Sequence, residues 1–136
     1  MASTVAFELV SPERLLLSEE AEMILIPGSE GDFGIQPGHA LFISGIRPGV
    51  LSVYNNGKVE KRIFVSGGFA EATPERCIVL AEEAMALEDL NAAEIESEIT
   101  NLKEDISAPE TPEKEKARAE KSLSVAEAKL TAAKAA

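Results

Sequence analysis

The chain has 136 residues, a formal net charge of −11 and 45% apolar side chains, with no tryptophan. That length suits one domain, or one small domain with an appendage, and the acidic balance excludes nucleic acid as the main partner, because phosphate binding needs a basic footprint. No apolar run approaches the roughly 20 residues that span a bilayer.

Residues 1–7 have neither the basic nor the apolar region of a secretory signal. Val5, Phe7 and Leu9 alternate with polar or small neighbours up to Ser11-Pro12, the pattern of a half-buried strand closed by a turn. Residues 23–26 are a short apolar run stopped by Pro27-Gly28, and residues 41–46 end at Arg47-Pro48-Gly49. Asn56-Gly57 lies between apolar runs at 50–54 and 59–65. Both central positions of a type I′ turn need φ > 0, so this pair predicts a hairpin. Gly67-Gly68 and Thr73-Pro74-Glu75 set off two more strands, at 69–72 and 77–81. The lone cysteine, Cys77, excludes an internal disulfide and reads as a buried thiol among strand residues. Short strands punctuated this often predict an all-β sandwich or flattened barrel over residues 1–86.

Residues 28–40, Gly-Ser-Glu-Gly-Asp-Phe-Gly-Ile-Gln-Pro-Gly-His-Ala, stand apart from the rest. A flexible linker would be polar and would not need Phe33 or Ile35. The expectation is a shaped loop that presents Glu30, Asp32 and His39 on a folded body.

From residue 87 the period changes. Leu87, Leu90, Ile95, Ile99, Leu102 and Ile106 fall near helical spacing, and Glu88 and Asp89 stand where acids favour a helix start. A first helix over about 88–106 is expected. Thr111-Pro112 reads as a cap followed by proline at the first helical position, opening a second helix over about 112–134 on Ala119, Leu123, Ala126, Leu130 and Ala133. Joined by a short turn, the two must run antiparallel, so residues 87–136 form a helical hairpin. It sets about seven large aliphatic side chains against the ordering of roughly 45 residues, so its docking margin should be small. A detachable hairpin follows; a permanently docked appendage is the plainer alternative.

Side-chain catalysis is poorly supported: there is one histidine, no Gly-x-Ser-x-Gly elbow and no evident base for Cys77. Glu30, Asp32 and His39 match metal ligands in residue type only, and a capping or interface histidine is the simpler reading. The glycines at 28, 31, 34 and 38 lack the Gly-Lys-Ser/Thr ending of a phosphate loop. No catalytic residue, metal or cofactor is assigned. The acidic first helix reads as a solvated face, whereas the bases of the second could meet an acidic partner if several acted together.

Leu9-Val10-Ser11-Pro12-Glu13, the 28–40 segment, Pro48-Gly49-Val50-Leu51, and Val65-Ser66-Gly67-Gly68-Phe69-Ala70-Glu71 leading to Val79-Leu80-Ala81-Glu82 occur in this order. With them the chain resembles the epsilon subunits of bacterial F-type ATP synthases, equivalent to the mitochondrial delta subunit. The resemblance implies a non-catalytic rotor subunit whose sandwich binds the gamma subunit and rests on the c-ring. It implies that Glu30, Gly31, Asp32 and His39 face the ring, and that Ser11 and Ser44 lie toward gamma. It further implies that Lys114, Lys116, Arg118 and Lys121 stand where the hairpin would meet the alpha and beta subunits and restrain ATP hydrolysis, although their modest number argues against strong inhibition. Some members bind ATP through (Ile/Leu)-Asp-x-x-Arg-Ala; here the matching residues are Leu87-Glu88-Asp89-Leu90-Asn91-Ala92. The changes at Glu88 and Asn91 argue against such a site, because asparagine supplies neither charge nor a bidentate fork. Membrane association is expected only through the complex, on the cytoplasmic face of a bacterial inner membrane, since a start at Met1 without an Arg-rich leader favours a bacterium. The rival from another class is a stand-alone β-sandwich that binds a small ligand with Glu30, Asp32 and His39.

Overall fold

A computed structural model describes residues 3–135, with side chains described for 3–134. The expectation drawn from Met1 lies outside the described residues. The chain divides into two compact units, Met1–Ala86 and Leu87–Ala136.

The first unit is a sandwich of ten strands. They are β1 (Val5–Val10), β2 (Leu15–Ala21), β3 (Met23–Gly28), β4 (Gly31–Ile35), β5 (Phe42–Gly45), β6 (Gly49–Asn55), β7 (Lys58–Ser66), β8 (Phe69–Ala72), β9 (Arg76–Leu80) and β10 (Glu83–Ala86). One sheet runs β2-β1-β9-β8-β5 and the other β10-β7-β6-β3-β4. β1 and β9 pair in parallel, with Phe7 beside Cys77 and Leu9 beside Val79. The alternation read from residues 5–9 is the burial pattern of β1, with Val5, Phe7 and Leu9 in the core. Facing them from the other sheet are Ile24, Ile26, Leu51, Val53 and Val65. Asn56 and Gly57 both take positive φ, 56° and 72°, as the tight turn between β6 and β7 requires.

Three strands were not legible as such: β2, β4 and β10. The segment expected to be a loop at 28–40 contains β4, so its first half is one arm of a hairpin, with Ile26 beside Phe33 and Pro27 beside Asp32. Glycine and aspartate disguise this strand, but the backbone pairing with β3 overrides their weak β-propensity. β2 is disguised differently. Its Glu19 pairs with core residue Phe7, so it shares that residue's side of the sheet. There Lys61 Nζ of β7 donates to Glu19 Oε2 at 2.5 Å, an ion pair that ties the two sheets together. Glu19 Oε1 is buried with no partner among the described residues.

In the second unit, a 3-10 turn over Leu87–Asp89 precedes α1 (Ala92–Ser107), and α2 spans Glu113–Ala135. The first helix thus begins later than the acids at 88 and 89 suggest. Asn91 caps it: its side-chain oxygen accepts from the Glu94 amide at 3.1 Å. The residue that departs from the ATP-binding motif therefore has a structural task. Pro112 precedes the first helical residue and accepts from the Lys116 amide at 3.0 Å. Ile95, Ile99 and Ala126 form the seam, flanked by Leu90, Leu102, Leu123, Leu130 and Ala133. No helix among the described residues is long and apolar enough to cross a membrane.

Candidate functional site

The β3–β4 hairpin turns through Ser29 and Glu30, which are exposed, as are Gly31 and Asp32. Glycine is required at 28 by crowding: a Cβ there would come within 2.6 Å of the Gly31 carbonyl oxygen and 2.7 Å of the Phe33 ring. β3 pairs with β6 only as far as Leu25 beside Ser52. Beyond that point it gains a different neighbour, the corner at 45–47 where the chain passes from one sheet to the other. Ser29 donates its amide to the Gly45 carbonyl (2.9 Å), Arg47 donates its amide to that of Pro27 (3.0 Å), and Gly28 bridges to Ile46. Ile46 in turn donates to the Gly68 carbonyl at 3.2 Å. The turn is therefore braced against both sheets.

Side chains complete the brace. Arg47 Nη1 donates to the Gly28 carbonyl at 2.6 Å, and Nη2 pairs with the Asp32 carboxylate. Phe33 meets Phe42 edge-on, with ring centroids 5.0 Å apart, and His39 meets the same ring at 6.0 Å. His39 Nδ1 donates to the Ala40 carbonyl at 2.7 Å. The Gly38 amide, where an anion cradle would need a free donor, is given to the Pro74 carbonyl at 2.8 Å. Among the described residues no group of three or more His, Cys, Asp or Glu is placed to hold a metal ion.

The other expected positions are spread out. Ser11 closes the β1–β2 turn, its hydroxyl accepting from the Arg14 amide at 3.3 Å. Ser44 lies on β5, three strand spacings from β1, or about 14 Å. Its register partner Ala70 is buried, so Ser44 shares the inward side. The outward side carries Ile43 and Phe69, which are 69% and 45% exposed. Phe69 is aligned with Leu80, and Leu80 with Val10, which makes an apolar row across this face. In α2, Lys114, Arg118 and Lys121 fall at i, i+4 and i+7, so they share one exposed stripe. Lys116 lies on the opposite side of the helix and is half-buried.

Sequence reasoning missed Arg47 and Phe69. Arg47 is 15 residues from Asp32 and sits in Arg-Pro-Gly, which reads only as a turn. Phe69 could have been found from Ala70 and Ala72, whose alternation puts the aromatic on the face away from the core. Cys77 is buried, and burial pushes its thiol up to about 12, which suits packing and not nucleophilic chemistry.

Comparison with known proteins follows this geometry closely. Residues 4–87, all of the sandwich strands, match the family described as ATP synthase, Delta/Epsilon chain, beta-sandwich domain. The ATP synthase epsilon chain of Rhodospirillum rubrum is 52% identical over 134 residues, covering 98% of this chain and 99% of that protein. Those of Parvibaculum lavamentivorans and Paramagnetospirillum magneticum are 47% and 43% identical over 89% and 97% of this chain, and 92% and 98% of their own lengths. In fold, the chain is similar to one in the Euglena gracilis mitochondrial ATP synthase (OSCP/F1/c-ring), with a TM-score of 0.81 at 24% identity over 94% of this chain and 80% of that one. It is also similar to one in the Tetrahymena thermophila central stalk/c-ring structure, with a TM-score of 0.62 at 13% identity over 95% of this chain and 96% of the other. Sandwich, helical hairpin and end-to-end identity agree, and the chain belongs to the delta/epsilon chain family of ATP synthases.

Proposed function

We propose that the chain is a non-catalytic central-stalk subunit of an F-type ATP synthase, joining the gamma subunit to the c-ring so that ring and stalk turn together. The observation that carries this reading is identity above 50% to an epsilon chain across nearly the whole length of both proteins. The fold supports it physically. Torque passes only through parts that do not yield, and the β3–β4 turn is braced by backbone bonds to both sheets.

In this reading Glu30, Gly31, Asp32 and His39 form the end of the sandwich that faces the polar loops of the ring. The gamma-facing surface is the outer side of the β2-β1-β9-β8-β5 sheet, where Ile43 and Phe69 lie exposed between edges marked by Ser11 and Ser44. Exposed apolar side chains of this size on a folded surface favour burial against a partner. The stripe of Lys114, Arg118 and Lys121 is the part of the hairpin suited to acidic segments of the catalytic head, and the chain works as a peripheral subunit on the cytoplasmic face of a bacterial inner membrane. The test is reconstitution. Membranes stripped of this subunit should regain ATP-driven proton pumping when the full chain is added with gamma present. Pumping that stays uncoupled although the chain rebinds would refute the proposal.

A further inference from the structure

We propose that Arg47 is a positioning residue for the β3–β4 hairpin, and that Asp32 serves as its anchor, leaving Glu30 as the acid that meets the partner. This rests on the reading of the hairpin as the ring-facing end of the sandwich. One guanidinium holds both strands: Gly28 ends β3, Asp32 lies early in β4, and Arg47 reaches the carbonyl of the first and the carboxylate of the second. Its own amide donates to Pro27, so the side chain that clamps the hairpin is fixed at its root to the same strand. The planar fork of arginine serves two acceptors in one geometry, which a lysine ammonium does not reproduce.

The charges divide accordingly. The Asp32 carboxylate is neutralised by Arg47, whereas Glu30 is exposed at the turn and has no ion pair among the described residues. Replacing Asp32 therefore does two things at once: it removes an acid and releases the brace. A charge exchange separates these effects, because it restores the pair while leaving position 32 with the opposite sign.

The experiment uses the full chain, alone for amide exchange and reassembled with gamma and ring for proton pumping per ATP hydrolysed. Asp32→Arg and Arg47→Asp should each raise exchange of the Ser29 amide about tenfold and lower pumping about threefold, with exchange of core amides in β6 unchanged. The double exchange, Asp32→Arg with Arg47→Asp, should bring both readouts back to within about twofold of wild type. Glu30→Arg should lower pumping without changing exchange at Ser29. If the double variant exchanges as fast as Asp32→Arg, the pair does not position the turn and the proposal falls. If it regains slow exchange but not pumping, Asp32 meets the partner directly and the division of roles between Asp32 and Glu30 is overturned. If exchange behaves as expected and no variant alters pumping, the ring-facing reading fails while the clamp itself stands. Arg47→Lys covers failure of the charge reversals to fold; wild-type exchange at Ser29 in that variant would contradict the two-acceptor clamp.

Discussion

The sandwich and the hairpin of helices are stabilised in different ways. The sandwich buries Phe7, Leu9, Ile24, Ile26, Ile35 and Leu51 almost completely in one continuous core, and its corners are cross-bonded between sheets. The hairpin has a seam of Ile95, Ile99 and Ala126 with half-buried leucines beside it, and α2 contributes mostly alanine to its inner face. Large branched side chains locked between sheets resist deformation, because a close-packed interior transmits strain. An alanine seam lets helices approach but removes little apolar surface from water. The contrast argues for one unit that carries force and another that opens at low cost.

The largest expected effect sharpens that contrast. Phe7→Ala should cost the sandwich about 3–5 kcal/mol, whereas Ile99→Ala should cost the hairpin about 2 kcal/mol and leave amide protection in the sandwich intact. Exchange measurements on the full chain would resolve the two. Equal losses of protection in both units would show that they unfold together.

A second test concerns the ion pair between the sheets. Lys61→Ala strands the half-buried Glu19 carboxylate and should destabilise the sandwich by about 1–3 kcal/mol, while replacing both residues by apolar ones should be nearly neutral. Denaturant titration of the single and double variants checks this.

Cys77 gives a pH signature confined to the sandwich. Its folded-state pKa is raised from 9.0 to about 12 by burial. The folded form therefore keeps its proton where the unfolded chain loses it. The stabilising contribution is complete below pH 9.0 and is lost as pH rises toward 12. Between those limits wild type should lose about 1.4 kcal/mol per pH unit more than Cys77→Ala. Parallel pH profiles for the two proteins would contradict it.

The smallest effect belongs to the hairpin. Asn91→Ala removes the cap of α1 and should cost about 1 kcal/mol, seen as faster exchange at Glu94 and its neighbours only.

How much of this was legible follows from where side chains point. The alternation of Val5, Phe7 and Leu9, the Asn56-Gly57 turn and the helical seam from Leu123 to Ala133 are local signals, and each marks its element correctly. β4 was hidden because Gly31, Asp32 and Gly34 are poor strand residues, held in place by pairing with β3. β2 was hidden because Glu19 breaks the expected pattern, and its partner Lys61 is 42 residues away. In α1, Glu88 and Asp89 resembled a first turn, although the cap is Asn91. At the candidate site, the acids and the histidine were visible by composition. The clamp was not, since nothing in Arg47-Pro48-Gly49 announces that the corner folds back against Gly28 and Asp32.

The most direct test of the stalk role is a contact measurement in the assembled enzyme. With Glu30→Cys in this chain and single cysteines in the polar loops of the ring protein, mild oxidation of membranes should join the two chains, and proton pumping should persist in the joined enzyme. No joining at any ring position, with Glu30→Cys still reactive to a soluble maleimide in the intact complex, would contradict the claim that this hairpin stands on the ring.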